Sequence, residues 1–271
     1  MIELLTLGFM QRALAAGVMV SLICSLLSFF IVLKRLSFIG VGVSHSAFGG
    51  VALGFLLGIN PTLTAMVFAV ATALAISHLK HHQRVQEDVA IGIFFSAAMS
   101  LGVIFVGLSR GYTVDLFGYL FGSILAVTSQ DLWVIGTVSI IVISLVLLLF
   151  RYLLFISFDE EMARVSGLPV TMLNDLLLVC IAITVIVSIK IVGIILVSAL
   201  LVIPGAASYQ LTKNYRSMLI GSLVVGFGSS LVGLLLSYRL DLASGATIVI
   251  VATAIFFVSA VLSPRRRRAS S

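Results

Sequence analysis

The chain has 271 residues, a net charge of +6, and a composition that is 61% hydrophobic and 10% charged, with a mean hydropathy of +1.27. A soluble domain carries about 25% charged residues, so the chain lacks the polar surface that a water-soluble fold needs. Its basic residues sit singly or in small clusters at the ends of apolar runs, which excludes nucleic acid as a partner and fits orientation in a lipid bilayer.

Nine apolar segments of membrane-spanning length follow one another: 13–33, 36–59, 61–79, 89–109, 132–156, 172–189, 191–212, 217–237 and 244–263. The first lacks a basic n-region and a small-residue cleavage site and leads straight into the next, so it reads as a span and not as a signal peptide. In the second, Gly40, Gly42, Ser44, His45, Ser46, Gly49, Gly50 and Gly54 crowd together. Glycines this dense weaken a helix, and non-helical backbone at membrane depth is tolerated only against protein or a cavity. A broken helix serving both packing and a pathway is therefore expected at 40–50. His78, His81 and His82 follow the third segment at a spacing that could share a metal on a helix face. Lys80 and Arg84 lie among them with no acid or cysteine, so a solvated basic loop is expected. Glu87 and Asp88 open the fourth segment, where carboxylates favour a helix N-terminus by about 0.3–1 kcal/mol each.

Residues 112–127 are apolar but reach only about 24 Å as a helix, and Asp115, Gly118 and Gly122 interrupt them. A re-entrant or interfacial helix is expected there. Beyond the fifth segment the register changes. Asp159, Glu160, Glu161, Arg164 and Gly167 form a charged island between long uncharged stretches. Ser157 or Asp159 can cap the start, the acids fill a first turn and Gly167 stops it, which predicts a short helix within 157–169. Such a helix offers a handle to a soluble partner. In the seventh segment Pro204 and Gly205 predict a break inside the bilayer, attributable to small-residue packing. Asp241 with Ser244 is expected to cap the last span, and a basic tail, 264–271, closes the chain. Cys24 and Cys180 lie inside apolar runs and read as buried thiols.

Orientation follows from the basic residues. With the N-terminus outside, Lys34, Arg35, Lys80, Arg84, Arg151, Arg164, Lys213, Arg216 and Arg265 to Arg268 fall on the cytoplasmic side, twelve of sixteen; Arg12, Arg110, Lys190 and Arg239 fall outside. Counting 112–127 as a full span would invert the later assignments and place the basic tail outside.

His45 stands mid-segment, flanked by Ser44 and Ser46. An ionisable residue at membrane depth is a functional-site hypothesis by default, and imidazole suits transition ions. Gly-x-x-x-x-Gly-Lys-Ser/Thr, Gly-x-Ser-x-Gly and His-Glu-x-x-His are all absent, so no P-loop or common hydrolase site is expected.

Four stretches taken together resemble the permease subunits of zinc/manganese (ABC-3) ATP-binding-cassette importers. They are Lys34 to Gly54, Glu87 to Ser96, Asp159 to Gly167, and Leu201 to Ala207 with Asp241 to Thr247. The resemblance covers essentially the whole chain and implies an all-α polytopic bundle forming one membrane domain, 1–271. It implies a homodimer in the plasma (inner) membrane, a cytoplasmic ATPase subunit that holds the ATP, and an extracytoplasmic binding protein that delivers Zn²⁺ or Mn²⁺. This chain itself would bind no cofactor. The resemblance makes Asp159, Glu160, Glu161, Arg164 and Gly167 a coupling helix, His45, Ser44 and Ser46 the metal path, and Gly40, Gly42, Gly49, Gly50, Pro204 and Gly205 the breaks that permit two packings. Members usually place an aspartate four residues before the histidine. Val41 stands there, so a tight two-ligand site is not expected. A permease for a chelated metal of siderophore or cobalamin type is the nearest alternative. An ion-coupled secondary carrier is the next, disfavoured because the acids lie at or near segment ends.

Overall fold

The computed structural model describes residues 8–83, 85–109 and 127–263. The tail at 264–271, nearly all of segment 112–127, Arg84 and the side chains of His81 and His82 lie outside the described residues.

The described chain folds into helices: α1 Gly8–Leu33, α2 Ile39–Leu57, α3 Pro61–Gln83, α4 Glu87–Leu108, α5 Ser129–Leu148, α6 Phe150–Phe158, α7 Glu160–Val165, α8 Val170–Leu200, α9 Ile203–Leu211, α10 Tyr215–Leu240 and α11 Ser244–Val261. Among the described residues nine stretches are long and apolar enough to cross a membrane, in register with the nine expected. A spanning chain has no water to take up freed backbone groups, so the helix, which satisfies them internally, is the form these runs adopt. Two of the nine come from residues 170–211. Inside α8, Gly193 adopts φ 79° and ψ 165°, outside the helical region. After Leu200 the chain turns at 201–202 and restarts as α9 with Pro204 in its first turn. That is where a residue without an N–H belongs, so the expected break is present.

The helices divide into two compact units. One contains α1, most of α5, the C-terminal part of α8, and α9 to α11. Here α1 packs against α9 and α10, and α9 and α10 against α11. Serines and glycines set the spacing. Ser28 on α1 donates through Oγ to the Val202 carbonyl at 3.2 Å and accepts the Gly205 N–H at 2.9 Å. Ser222 Oγ donates to the Ser25 carbonyl at 2.7 Å and Ser208 Oγ to the Met218 carbonyl at 2.7 Å. A Cβ on Gly205 would lie 2.5 Å from the Ser28 carbonyl oxygen, so only glycine permits this approach.

Asp241 differs from expectation. It ends α10 in a left-handed conformation, φ 53°, which short polar side chains tolerate, while Ala243 precedes α11. The joint is held by Leu242 N–H to the Ser237 carbonyl at 3.0 Å and Ser237 Oγ to the Leu242 carbonyl at 2.7 Å.

The other unit contains α2, α3, α4, the end of α5, α6, α7 and the first part of α8. Its centre is α2, which packs along both α3 and α4.

Candidate functional site

His45 lies on α2, and α2 corrects the expectation of a broken segment. It runs without interruption from Ile39 to Leu57 through Gly40, Gly42, Gly49 and Gly50, and closes at Gly58 with φ 67°. Gly42, Gly49 and Gly50 are contact points. A Cβ on Gly42 would meet Ile91 of α4, one on Gly49 the Ala98 carbonyl oxygen at 2.7 Å, and one on Gly50 the Ala65 Cα at 2.6 Å. Each glycine weakens the helix by about 1 kcal/mol relative to alanine. The close approach of two neighbouring helices offsets that, and lipid offers unwound backbone no alternative partner.

The continuous helix separates the trio Ser44, His45 and Ser46. Consecutive helical residues point about 100° apart. Both serines are fully buried. Ser44 Oγ donates to the Gly40 carbonyl at 2.6 Å and Ser46 Oγ to the Val43 carbonyl at 2.8 Å. Both hydroxyls bond carbonyls of their own helix, and Ser44 Oγ also reaches the Val41 carbonyl at 3.2 Å, the oxygen that the imidazole meets.

The His45 ring is half-buried. Its Nδ1 lies 2.9 Å from the Val41 carbonyl, and its face meets Phe95 of α4 edge-on, centroids 5.1 Å apart. A carbonyl can only accept, so Nδ1 is the donor in this contact, and Nε2 is the nitrogen left to face a ligand. That is the arrangement of a metal-binding imidazole, whose second nitrogen is normally anchored by a hydrogen bond. One turn away, Val41 lines a cavity of about 320 Å³ with Phe38, Gly42, Asp88, Ile91, Gly92 and Phe95. Asp88 thus shares a cavity with the residue that stands where a carboxylate was expected. Among the described residues no three histidine, cysteine or acidic side chains gather closely enough to hold a metal ion. One imidazole with water can touch a passing ion but cannot sequester it.

The second candidate region is the charged island. Asp159, with φ −149° and ψ 98°, caps α7 by accepting the Met162 N–H at 2.8 Å. Ser157, the other candidate cap, belongs to α6 and donates to the Leu153 carbonyl at 2.6 Å. At the far end Gly167 takes φ 82°. Leu168 N–H reaches the Ala163 carbonyl at 3.1 Å and Gly167 N–H the Arg164 carbonyl at 3.1 Å, the paired bonds of a Schellman motif. Ala163 faces inward and is buried. Phe158, Met162 and Val165 are exposed at 65%, 55% and 84%, an apolar face beside the exposed Glu161 and Arg164.

Glu160 behaves differently from Glu161. Its side chain is 28% exposed and turns toward the unit. It accepts from Asn174 Nδ2 at 3.3 Å and lies 3.7 Å from both Lys80 Nζ and Arg164. Lys80 also pairs with Glu87 at the start of α4.

Sequence reasoning passed over Asp175. It sits in the second turn of α8, inside an apolar span, and accepts a short hydrogen bond from Ser77 Oγ. A cavity of about 580 Å³ is lined by Asp175 with Ser77, His78, Phe94 and Thr171 among others. A lone acid within an apolar run was the available signal.

Residues 6–263 match the ABC 3 transport family. A manganese transport system membrane protein of Halalkalibacterium halodurans is 38% identical over 264 residues, covering 97% of this chain and 90% of that protein. A manganese import system permease protein of Streptococcus gordonii is 34% identical over 96% of this chain and 93% of its own length. The solved structure described as PsaBC from Streptococcus pneumoniae in complex with Fab superposes with a TM-score of 0.86 at 34% identity, over 98% of this chain and 96% of that one.

Proposed function

The chain belongs to the ABC 3 transport family, and on that premise we propose that it is the permease subunit of an ATP-binding-cassette importer for divalent transition-metal ions, with Mn²⁺ as its main cargo. The near full-length match to that family carries the reading. Manganese is preferred over zinc because relatives at 34–38% identity are described as manganese permeases. The lone imidazole at His45, completed by water, gives such an ion one transient contact. The chain has no nucleotide-binding motif, so ATP is bound and hydrolysed by a separate cytoplasmic subunit, which docks on the exposed apolar face of α7. A homodimer, an extracytoplasmic binding protein and an outside N-terminus complete the proposal. The twelve-to-four distribution of basic residues supports that orientation.

The test is uptake of radiolabelled Mn²⁺ by liposomes containing the permease and its ATPase, with Zn²⁺ and Fe²⁺ as competitors. ATP-dependent Mn²⁺ uptake is expected, and uptake of none of the three ions rejects the reading. His45→Ala lowers uptake by about tenfold or more, since losing even a residue that only supports a metal ligand costs about 10–100-fold. His45→Asn keeps a hydrogen-bonding side chain, and full uptake in that variant makes His45 a packing residue only. A cysteine replacing Ser271 that reacts with an impermeant maleimide from outside intact cells overturns the orientation.

A further inference from the structure

We propose that Lys80 is a positioning residue that transmits movement of α7 to the helix pair carrying His45. The proposal rests on the ATP-driven permease reading. The Lys80 ammonium, near the end of α3, is shared between the carboxylates of two separate elements: Glu160, the first residue of α7, and Glu87, the first residue of α4. The three side chains are 27%, 28% and 21% exposed, so the cluster is partly withdrawn from solvent. Asn174 donates to Glu160 from α8 and restrains the same carboxylate.

From Glu87 the path continues along one stripe of α4. Glu87, Ile91 and Phe95 are spaced i, i+4, i+8 and therefore share a face. Ile91 is the side chain that Gly42 of α2 makes room for, and Phe95 packs edge-on against the His45 ring. Eight residues of helix span about 12 Å, and α4 is helical throughout that stretch. A tilt of α7 that draws on Glu160 thus pulls the end of a rigid rod whose next two turns bear on α2 and on the imidazole. A simple surface ion pair has a different signature. Exposed pairs contribute little to stability, so their loss leaves the transport cycle unchanged.

The experiment uses the assembled transporter in liposomes with Mn²⁺. Lys80→Met keeps an unbranched side chain close to the length of the lysine stem and removes its charge. ATP hydrolysis continues, and the ATP hydrolysed per Mn²⁺ imported rises about fivefold, at the lower end of coupling between linked sites. Lys80→Arg restores the wild-type ratio. Glu87→Gln reproduces the defect from the other end, and stands in for Lys80→Met if that protein does not assemble. An unchanged ratio in Lys80→Met, or a parallel fall of hydrolysis and uptake, overturns the proposal. A second readout does not depend on transport: the maleimide reactivity of Val41→Cys, with and without ATP and vanadate. The native thiols are buried and form a silent background. Nucleotide alters the Val41→Cys rate, and Lys80→Met abolishes that response. Persistence of the response in Lys80→Met overturns the relay. If the wild-type transporter imports no Mn²⁺ but the response still depends on Lys80, the cargo assignment fails and the relay stands.

Discussion

Two stretches of this chain looked equally fragile as sequence, and they fold in opposite ways. The glycine-rich stretch 40–50 forms an unbroken helix, whereas the chain at 201–202 leaves the helix and restarts before Pro204. A glycine forfeits entropy but keeps its N–H. When a neighbour moves into the space where its side chain would be, the helix is retained. A proline removes a donor and collides with the preceding turn, and packing does not repair that. Glycine density therefore marks where helices touch, and proline, at Pro61 and Pro204, marks where a new one starts.

This contrast is most strongly tested by Gly50→Ala. A methyl there would lie 2.6 Å from Ala65 Cα and 2.8 Å from the Thr64 carbonyl oxygen, both backbone atoms. Overpacking of this kind costs about 1–3 kcal/mol, read as a fall in the midpoint of thermal unfolding in detergent. A raised midpoint would instead mean that the contact between α2 and α3 relaxes around the methyl and helix propensity wins. Ser28→Ala has the next largest effect. It strips the Gly205 N–H of its acceptor beside the break, and an unpaired buried donor costs about 1–3 kcal/mol, less where the site relaxes. Gly92→Ala carries the opposite sign. Nothing lies within 4 Å of a Cβ at this helical position, so a gain of about 0.5–1 kcal/mol is expected, and a loss would mean that the cavity beside Val41 must stay open for folding. Ser46→Ala is the smallest. Its hydroxyl bonds only within its own turn, so stability shifts by no more than about 0.5 kcal/mol and Mn²⁺ uptake is unchanged. Loss of uptake in that variant would return Ser46 to the metal path.

The spans were legible because nine apolar runs admit one backbone solution in lipid, and the ends of α7 were legible because Asp159 and Gly167 carry local cap chemistry. What composition could not show was partnership. Nothing near Gly42 in sequence announces Ile91, and nothing near Glu160 announces Lys80, some eighty residues earlier. The same gap hid the difference between Glu160, held inward, and Glu161, left exposed. Asp175 reads in sequence as an acid near a segment end, and only the fold sets it in the second turn of its helix against Ser77. Asp241 is ambiguous in sequence, since a residue between two helices can finish one or start the other, and only its left-handed φ decides.

The double closure of α7 has a consequence for recognition. A six-residue helix left to itself would be mostly unravelled in water, and any surface that received it would have to supply the free energy of ordering it. With a side-chain cap at Asp159 and paired backbone bonds around Gly167, the helix is wound before any partner meets it. If the ATPase subunit docks there as proposed, the contact energy of Phe158, Met162 and Val165 goes into affinity rather than into winding the helix.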